Sequence, residues 1–147
     1  MIISWLLVVG QMILIVLLAF PVSALYQGTL ADLFGVSLVI CSLVLVVWAF
    51  LSMHSGTFTV MPEPTSAASL TQAGPYQYVR HPMYSAVLVG GVGASISHAD
   101  IVSWLQLSLL SGLLIVKLLR EERYLSQRYG EYSDYKKRTR ALVPWVY

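Results

Sequence analysis

The sequence 74-GPYQYVRHPMY-84 places turn-forming residues, an arginine, a histidine and three tyrosines between two strongly apolar segments. A second polar cluster, 120-REERYL-125, follows the last apolar segment of the chain. Charged side chains inside a membrane are costly, so such groups belong where helices enter or leave the bilayer. The two clusters therefore mark helix ends and are the first candidates for a functional site.

The composition around these clusters is that of an integral membrane protein. Of the 147 residues, 57% are hydrophobic and 11% are charged, whereas soluble domains carry about 25% charged residues. We expect a single domain. The one cysteine, Cys41, lies in an apolar run, so one chain has neither a disulfide nor a zinc site built from cysteine pairs. No metal site is expected.

Four apolar segments are predicted to span the membrane, which takes roughly 20 helical residues each. They cover about residues 2–24, 33–53, 82–97 and 101–119. The one substantial loop, residues 54–81, contains three prolines that prevent a continuous helix. The third segment is short and carries Gly90, Gly91 and Gly93, which permit close helix packing. We therefore predict an all-α integral membrane fold of four transmembrane helices with a C-terminal cytosolic helical tail.

The distribution of basic residues predicts the orientation. All nine Lys and Arg lie in the loop 54–81 or near and beyond the end of the last segment. Four spans put these regions and both termini on one side, which the positive-inside rule makes cytoplasmic. The connection 97–100 is short, so the last two spans form an antiparallel hairpin that brings the two polar clusters to the same membrane face. The basic tail is short and tethered to a bilayer, so no nucleic-acid partner is expected.

The start of the third segment has the features of an anion receptor. Proline is favoured at a first helical position, so Pro82 is predicted to begin the helix with His81 as its cap. The free N–H groups of a helix N-terminus attract anions. Beside Arg80 and His81, they would suit the carboxylate of an amino-acid-like ligand. The alternative is a helix start with an interfacial arginine and no ligand.

The end of the fourth segment supplies the opposite charge. Lys117, Glu121, Tyr124, Leu125 and Arg128 share one helix face by their spacing. Adjacent carboxylates at a membrane boundary need cationic partners. Arg80 or a ligand cation would meet this need, and the alternative is a set of helical ion pairs without a ligand. Cations on one wall and a carboxylate on the other suit a zwitterion such as S-adenosylmethionine.

The polar motifs resemble the C-terminal core of the isoprenylcysteine carboxyl methyltransferase family and its phospholipid methyltransferase relatives. The resemblance covers about residues 68–144 and rests on Leu70, Gly74-x-Tyr76, Arg80-His81-Pro82-x-Tyr84, Glu121-Glu122 with Leu125, Tyr129-Gly130, Tyr132, Tyr135 and Pro144. It implies a cytosolic S-adenosylmethionine site formed by Ala68, Ser69, Leu70, Thr71, Tyr76, His81, Pro82, Met83, Tyr84 and Glu121. Arg80, His81 and Glu121 are the predicted catalytic residues.

The resemblance also indicates where an acceptor would bind. The family places a substrate-binding arginine one turn before the glutamates, where this chain has Lys117, with Arg120 nearby. Lysine lacks the planar fork of arginine. We expect Lys117 and Arg120 to bind substrate, but the resemblance does not extend to the identity of the substrate.

These observations predict S-adenosylmethionine-dependent methyl transfer to a lipophilic or prenylated acceptor from the bilayer, with O-methylation of a carboxylate favoured. Three alternatives remain open. The chain would otherwise be a phospholipid or small-lipid N-methyltransferase, a relative of sterol reductases that uses NADPH, or a non-catalytic membrane subunit.

Overall fold

The computed structural model describes residues 2–19, 28–53 and 70–143, and these residues form helices and no strand. The helices are α1 (Ile2–Ala19), α2 (Leu30–Leu51), α3 (Pro82–His98), α4 (Ile101–Arg128) and α5 (Tyr132–Arg138), with a 3₁₀ turn at Gly74–Gln77. The all-α prediction is confirmed for this part of the chain, including a helix in the C-terminal tail.

Local sequence signals explain where the helices begin and end. Thr29 and Asp32 form a capping box that starts α2 three residues before the predicted segment. Pro82 is the first residue of α3 and His81 its N-cap, as predicted. Ala99 ends α3 with a left-handed backbone at φ 52°, and the Asp100 side chain then caps α4. The third and fourth segments are therefore joined by two residues.

Close backbone contact joins α2 to α3. A Cβ atom added to Gly93 would lie 2.5 Å from the carbonyl oxygen of Gly35, so side chains larger than hydrogen do not fit there. Gly90 faces Ser42 of α2, and Gly91 faces Leu107 of α4. The glycines of α3 thus serve helix packing, as the sequence predicts. In addition, α1 packs on α4 and α3, and α3 packs on α4.

The polarity of the helix surfaces is inverted relative to that of a soluble protein. Small polar side chains such as Ser42, Ser95 and Ser103 are buried between helices. Large apolar side chains such as Leu43 and Val44 of α2 are exposed. Contiguous exposed apolar surface marks contact with a membrane or a partner, and small polar residues are typical of interfaces between membrane helices.

Within residues 2–19, 28–53 and 70–143, two helices are long and apolar enough to cross a membrane, whereas we predicted four spans. They are Leu30–Leu51 and Ile101–Arg128. The apolar part of α1, Ser4–Ala19, is shorter, and residues 20–24 of the first predicted span lie outside the described residues. Proline at its start and a left-handed residue after its end limit α3 to 17 residues. The helix α4 extends beyond the predicted end at residue 119, because good helix formers continue to Arg128.

Candidate functional site

The two polar clusters of the sequence meet in space. Residues 78–81 run beside the C-terminal strap, which we define as residues 139–142. The backbone N–H of Arg80 donates to the carbonyl of Arg140 at 2.7 Å, and that of His81 donates to the carbonyl of Ala141 at 3.1 Å. The N-terminus of α3 is thereby fixed between α4 and the strap. Arg80 of the first cluster contacts Glu122 of the second, so the two clusters meet, and their location at one membrane face stays a prediction.

Arg80 connects three parts of this site. Its Nε lies 2.7 Å from Oε1 of Glu122, and its Nη1 donates to the carbonyl of Thr139 at 2.7 Å. Lys136 of α5 reaches the other oxygen of Glu122 at 2.7 Å. Glu122 therefore has the cationic partner that the sequence demands. The contact of Arg80 with a ligand carboxylate stays a prediction, whereas its contacts within the protein are established.

His81, Tyr84 and Glu121 form the second half of the site. The hydroxyl of Tyr84 donates to Oε2 of Glu121 at 2.8 Å. The His81 ring stacks on the Tyr84 ring, with centroids 5.4 Å apart. Its Nδ1 lies 3.6 Å from Oε2 of Glu121, which is longer than a hydrogen bond. The Glu121 side chain is 27% exposed and that of Glu122 9%. Glu121 is thus the carboxylate that a ligand can reach.

Several buried polar atoms of this region have no hydrogen-bond partner within residues 2–19, 28–53 and 70–143. They include Nε2 of His81, Oγ1 of Thr71 and the hydroxyl of Tyr132. Buried polar groups in folded proteins are nearly always hydrogen-bonded. These atoms have hydrogen-bonding capacity that the described residues do not use, although Nε2 of His81 also lies 3.6 Å from Oε1 of Glu122. His81 and Thr71 are among the predicted cofactor contacts. The sequence analysis gave Tyr132 no role in binding. Its place in the tyrosine motif that carries the resemblance was a signal for such a role.

The side chain of Tyr76 lies near the accessible carboxylate. Burial, followed by the negative charge of Glu121, raises the pKa of the Tyr76 phenol to about 12. The backbone carbonyl of Tyr76 accepts a hydrogen bond from the hydroxyl of Tyr135 at 2.7 Å. Tyr76 is therefore a neutral hydrogen-bonding group held against α5, and it does not act as a base at neutral pH.

The two predicted substrate-binding residues face α1. Lys117 is 2% exposed, and its Nζ donates to Oε1 of Gln11 at 2.9 Å and lies 5.4 Å from the centre of the Tyr84 ring. The guanidinium of Arg120 lies 3.5 Å from the hydroxyl of Ser4. Neither contact with α1 was predicted. Ser4 and Gln11 are polar residues in an otherwise apolar segment, and such residues indicate a polar partner on another helix. Lys117 borders the site through Tyr84.

The remaining predicted contacts divide into two groups. Pro82 is buried at the start of α3, while Leu70 and Met83 are partly buried. Ala68 and Ser69 lie outside the described residues, as does Pro144. Among the described residues, no group of three or more His, Cys, Asp or Glu is arranged to hold a metal ion.

Comparison with protein families identifies the group to which this arrangement belongs. The model of the phospholipid methyltransferase family matches residues 30–132. The chain belongs to this family. The match runs from the start of α2 to the start of α5 and includes Arg80, His81, Tyr84 and both glutamates. It leaves out α1 and the strap. Family membership and the two long apolar helices indicate association with a membrane.

Two curated proteins that are similar to this chain carry names that concern metal resistance. The nickel-cobalt-cadmium resistance protein NccN of Alcaligenes xylosoxydans xylosoxydans is 34% identical over 79 residues, which are 53% of this chain and 37% of that protein. The cobalt-zinc-cadmium resistance protein CzcN of Cupriavidus metallidurans is 31% identical over 77 residues, 52% of this chain and 36% of that protein. The chain thus spans little more than a third of either relative.

Proposed function

We propose that this protein is a membrane methyltransferase that transfers a methyl group from S-adenosylmethionine to a lipophilic acceptor. The observation that carries the proposal is the meeting of His81 and Tyr84, at the N-terminus of α3, with Glu121 of α4. The family supplies the reaction class. We place the site on the cytoplasmic side of the membrane, because the basic residues lie around it and beyond the end of α4.

The residues present suit the polar groups of S-adenosylmethionine. When bound, this molecule supplies a methyl group on a positively charged sulfur. His81, at the positive end of the α3 dipole, would hold its carboxylate, and Glu121 would hold its ammonium or a ribose hydroxyl. Tyr76 and Tyr84 line the site. Arg80 is assigned a positioning role, because its Nε and Nη1 already bind Glu122 and Thr139.

The protein contributes mainly alignment and a dry environment. In-line displacement at the sulfonium methyl is accelerated when the acceptor atom is held at the correct distance and angle. A lipid carboxylate needs no base, and it is our first candidate acceptor, with Lys117 near its charge. A phospholipid amine is the second candidate, favoured by the family description. It must first lose a proton, and no base is assigned to this step because Glu121 is assigned to the cofactor.

Titration of the purified protein with S-adenosylhomocysteine tests the cofactor. His81→Ala and Glu121→Gln should each weaken binding, because each removes a charge-assisted contact worth about 1.5–3 kcal/mol, or roughly ten- to hundredfold in affinity. Glu131→Gln, at an exposed carboxylate, is the matched control and should bind normally. Normal affinity in both site variants would exclude this site for the cofactor.

Two further measurements separate the alternatives. Binding of NADPH in place of S-adenosylhomocysteine would favour a reductase, and binding of neither would favour a non-catalytic subunit. Incorporation of labelled methyl groups into acylated carboxylates or into phospholipid amines distinguishes the two acceptors. A lipid acceptor should react better as its chain lengthens, by up to about 0.8 kcal/mol per buried methylene. Equal activity on short water-soluble acceptors would contradict a lipophilic substrate.

A further inference from the structure

The Tyr132 side chain is buried at the first position of α5, with 1% of its surface exposed. Its hydroxyl has no hydrogen-bond partner among the residues that the structure describes. Tyrosine is normally buried with its hydroxyl bonded, because an apolar ring of the same shape avoids the cost of desolvating that group. A phenylalanine would fill this position without an unsatisfied hydroxyl.

Tyr135, one turn later on α5, shows the ordinary arrangement. It is 3% exposed, and its hydroxyl donates to the carbonyl of Tyr76 at 2.7 Å. The rings of Tyr132 and Tyr135 meet edge to face, with centroids 5.9 Å apart. The two tyrosines therefore share one environment and differ in whether the hydroxyl is satisfied. Packing of the ring cannot explain why position 132 carries a hydroxyl.

The surroundings of Tyr132 are those of the site. Burial, followed by the negative charge of Glu122, raises the pKa of the Tyr132 phenol, and Arg80 and Glu121 also act on it electrostatically. The phenol is therefore neutral and keeps its proton for donation. Glu122 is itself bonded to Arg80 and Lys136, which hold the N-terminus of α3 and the helix α5 against α4. Because Glu121, Glu122 and Arg80 belong to the site described above, Tyr132 borders that site.

We propose that Tyr132 is a ligand-contact residue, whose hydroxyl donates a hydrogen bond to an oxygen or nitrogen atom of the bound S-adenosyl compound. This inference rests on the proposed function and adds a donor on α5 to those on α3 and α4. The ligand then contacts α3, α4 and α5. The unsatisfied hydroxyl is retained because binding satisfies it.

The pair Tyr132→Phe and Tyr135→Phe separates binding from stability. Without ligand, Tyr132→Phe should unfold at the same temperature as the unchanged protein or a higher one, because it removes an unpaired buried hydroxyl. Its affinity for S-adenosylhomocysteine should fall about three- to tenfold, the loss of one neutral hydrogen bond. Tyr135→Phe should unfold at a lower temperature, because it leaves the carbonyl of Tyr76 without its donor.

Each outcome decides between the readings. If Tyr132→Phe binds S-adenosylhomocysteine as tightly as the unchanged protein does, the inference is wrong and the proposed function stands. If the unchanged protein does not bind this compound, the proposed function and the inference both fail. A Tyr132→Phe protein that is destabilised as strongly as Tyr135→Phe, or that does not fold, would show that the hydroxyl is bonded within the protein and would also overturn the inference.

Discussion

At the scale of single residues, Arg80 illustrates how a planar guanidinium assembles a site. Its Nε donates to Glu122 on α4, and its Nη1 donates to the carbonyl of Thr139 in the strap. Both nitrogens belong to one rigid planar group. An ammonium is a compact point charge and cannot reproduce this fork. Arg80 therefore positions the N-terminus of α3 by bonding it to α4 and to the strap.

Arg80→Lys should lower the free energy of unfolding by about 1.5–3 kcal/mol, the value of one hydrogen bond to a charged group. It should also weaken S-adenosylhomocysteine binding, because His81 follows directly in the chain. Denaturant titration followed by circular dichroism measures the first effect. Arg123→Lys, at an exposed position of α4, is the control and should change neither property. Equal stability of both variants would mean that the Arg80 contacts are not stabilising.

The sequence predicts residue types at this scale better than their partners. Adjacent glutamates at a membrane boundary require cations, and Arg80 meets Glu122 as that argument demands. The carbonyl of Thr139 is a backbone group without a side-chain signal, so its bond to Arg80 could not be read from the sequence.

At the scale of helices, the contact between α2 and α3 depends on glycine. Gly93→Leu should separate the helices, because even its Cβ would overlap the carbonyl of Gly35. We expect a loss of about 1–3 kcal/mol in the free energy of unfolding, which is typical of overpacking. Gly112→Leu is the matched control. A Cβ at Gly112 meets nothing within 4 Å, and removing a helical glycine should stabilise α4 by up to about 1 kcal/mol. A stable Gly93→Leu protein would contradict the close contact.

Helix boundaries were predictable where side chains carry the signal. Pro82 begins α3, and the glycines of α3 predict its tight packing. The end of α4 was predicted too early, because hydropathy falls at Arg120 although helix propensity does not.

The contact of Gln11 with Lys117 joins residues that are 106 positions apart, and no periodicity in either segment specifies that pairing.

At the scale of the whole molecule, the testable feature is the orientation of α4. In a background without Cys41, Ser133→Cys and Ala99→Cys should react with a membrane-impermeant maleimide from opposite sides of sealed vesicles. Both positions are exposed and lie beyond opposite ends of α4, so α4 would cross the bilayer between them. Labelling of Ser133→Cys from the cytoplasmic side would agree with the positive-inside rule. Labelling of both from one side would contradict a membrane-crossing α4 and the predicted topology.

The strap has a consequence for how the protein is made. The packing of α3 on α4 involves neighbours in the chain, whereas the bond from Arg80 to Thr139 joins residues 59 positions apart. Contacts between distant positions form late, since the closure of a long loop must precede them. During synthesis, Arg80 leaves the ribosome long before its partner exists. The helices can thus insert and pair before the bond from Arg80 to Thr139 exists. The site can therefore first form when translation has passed residue 139.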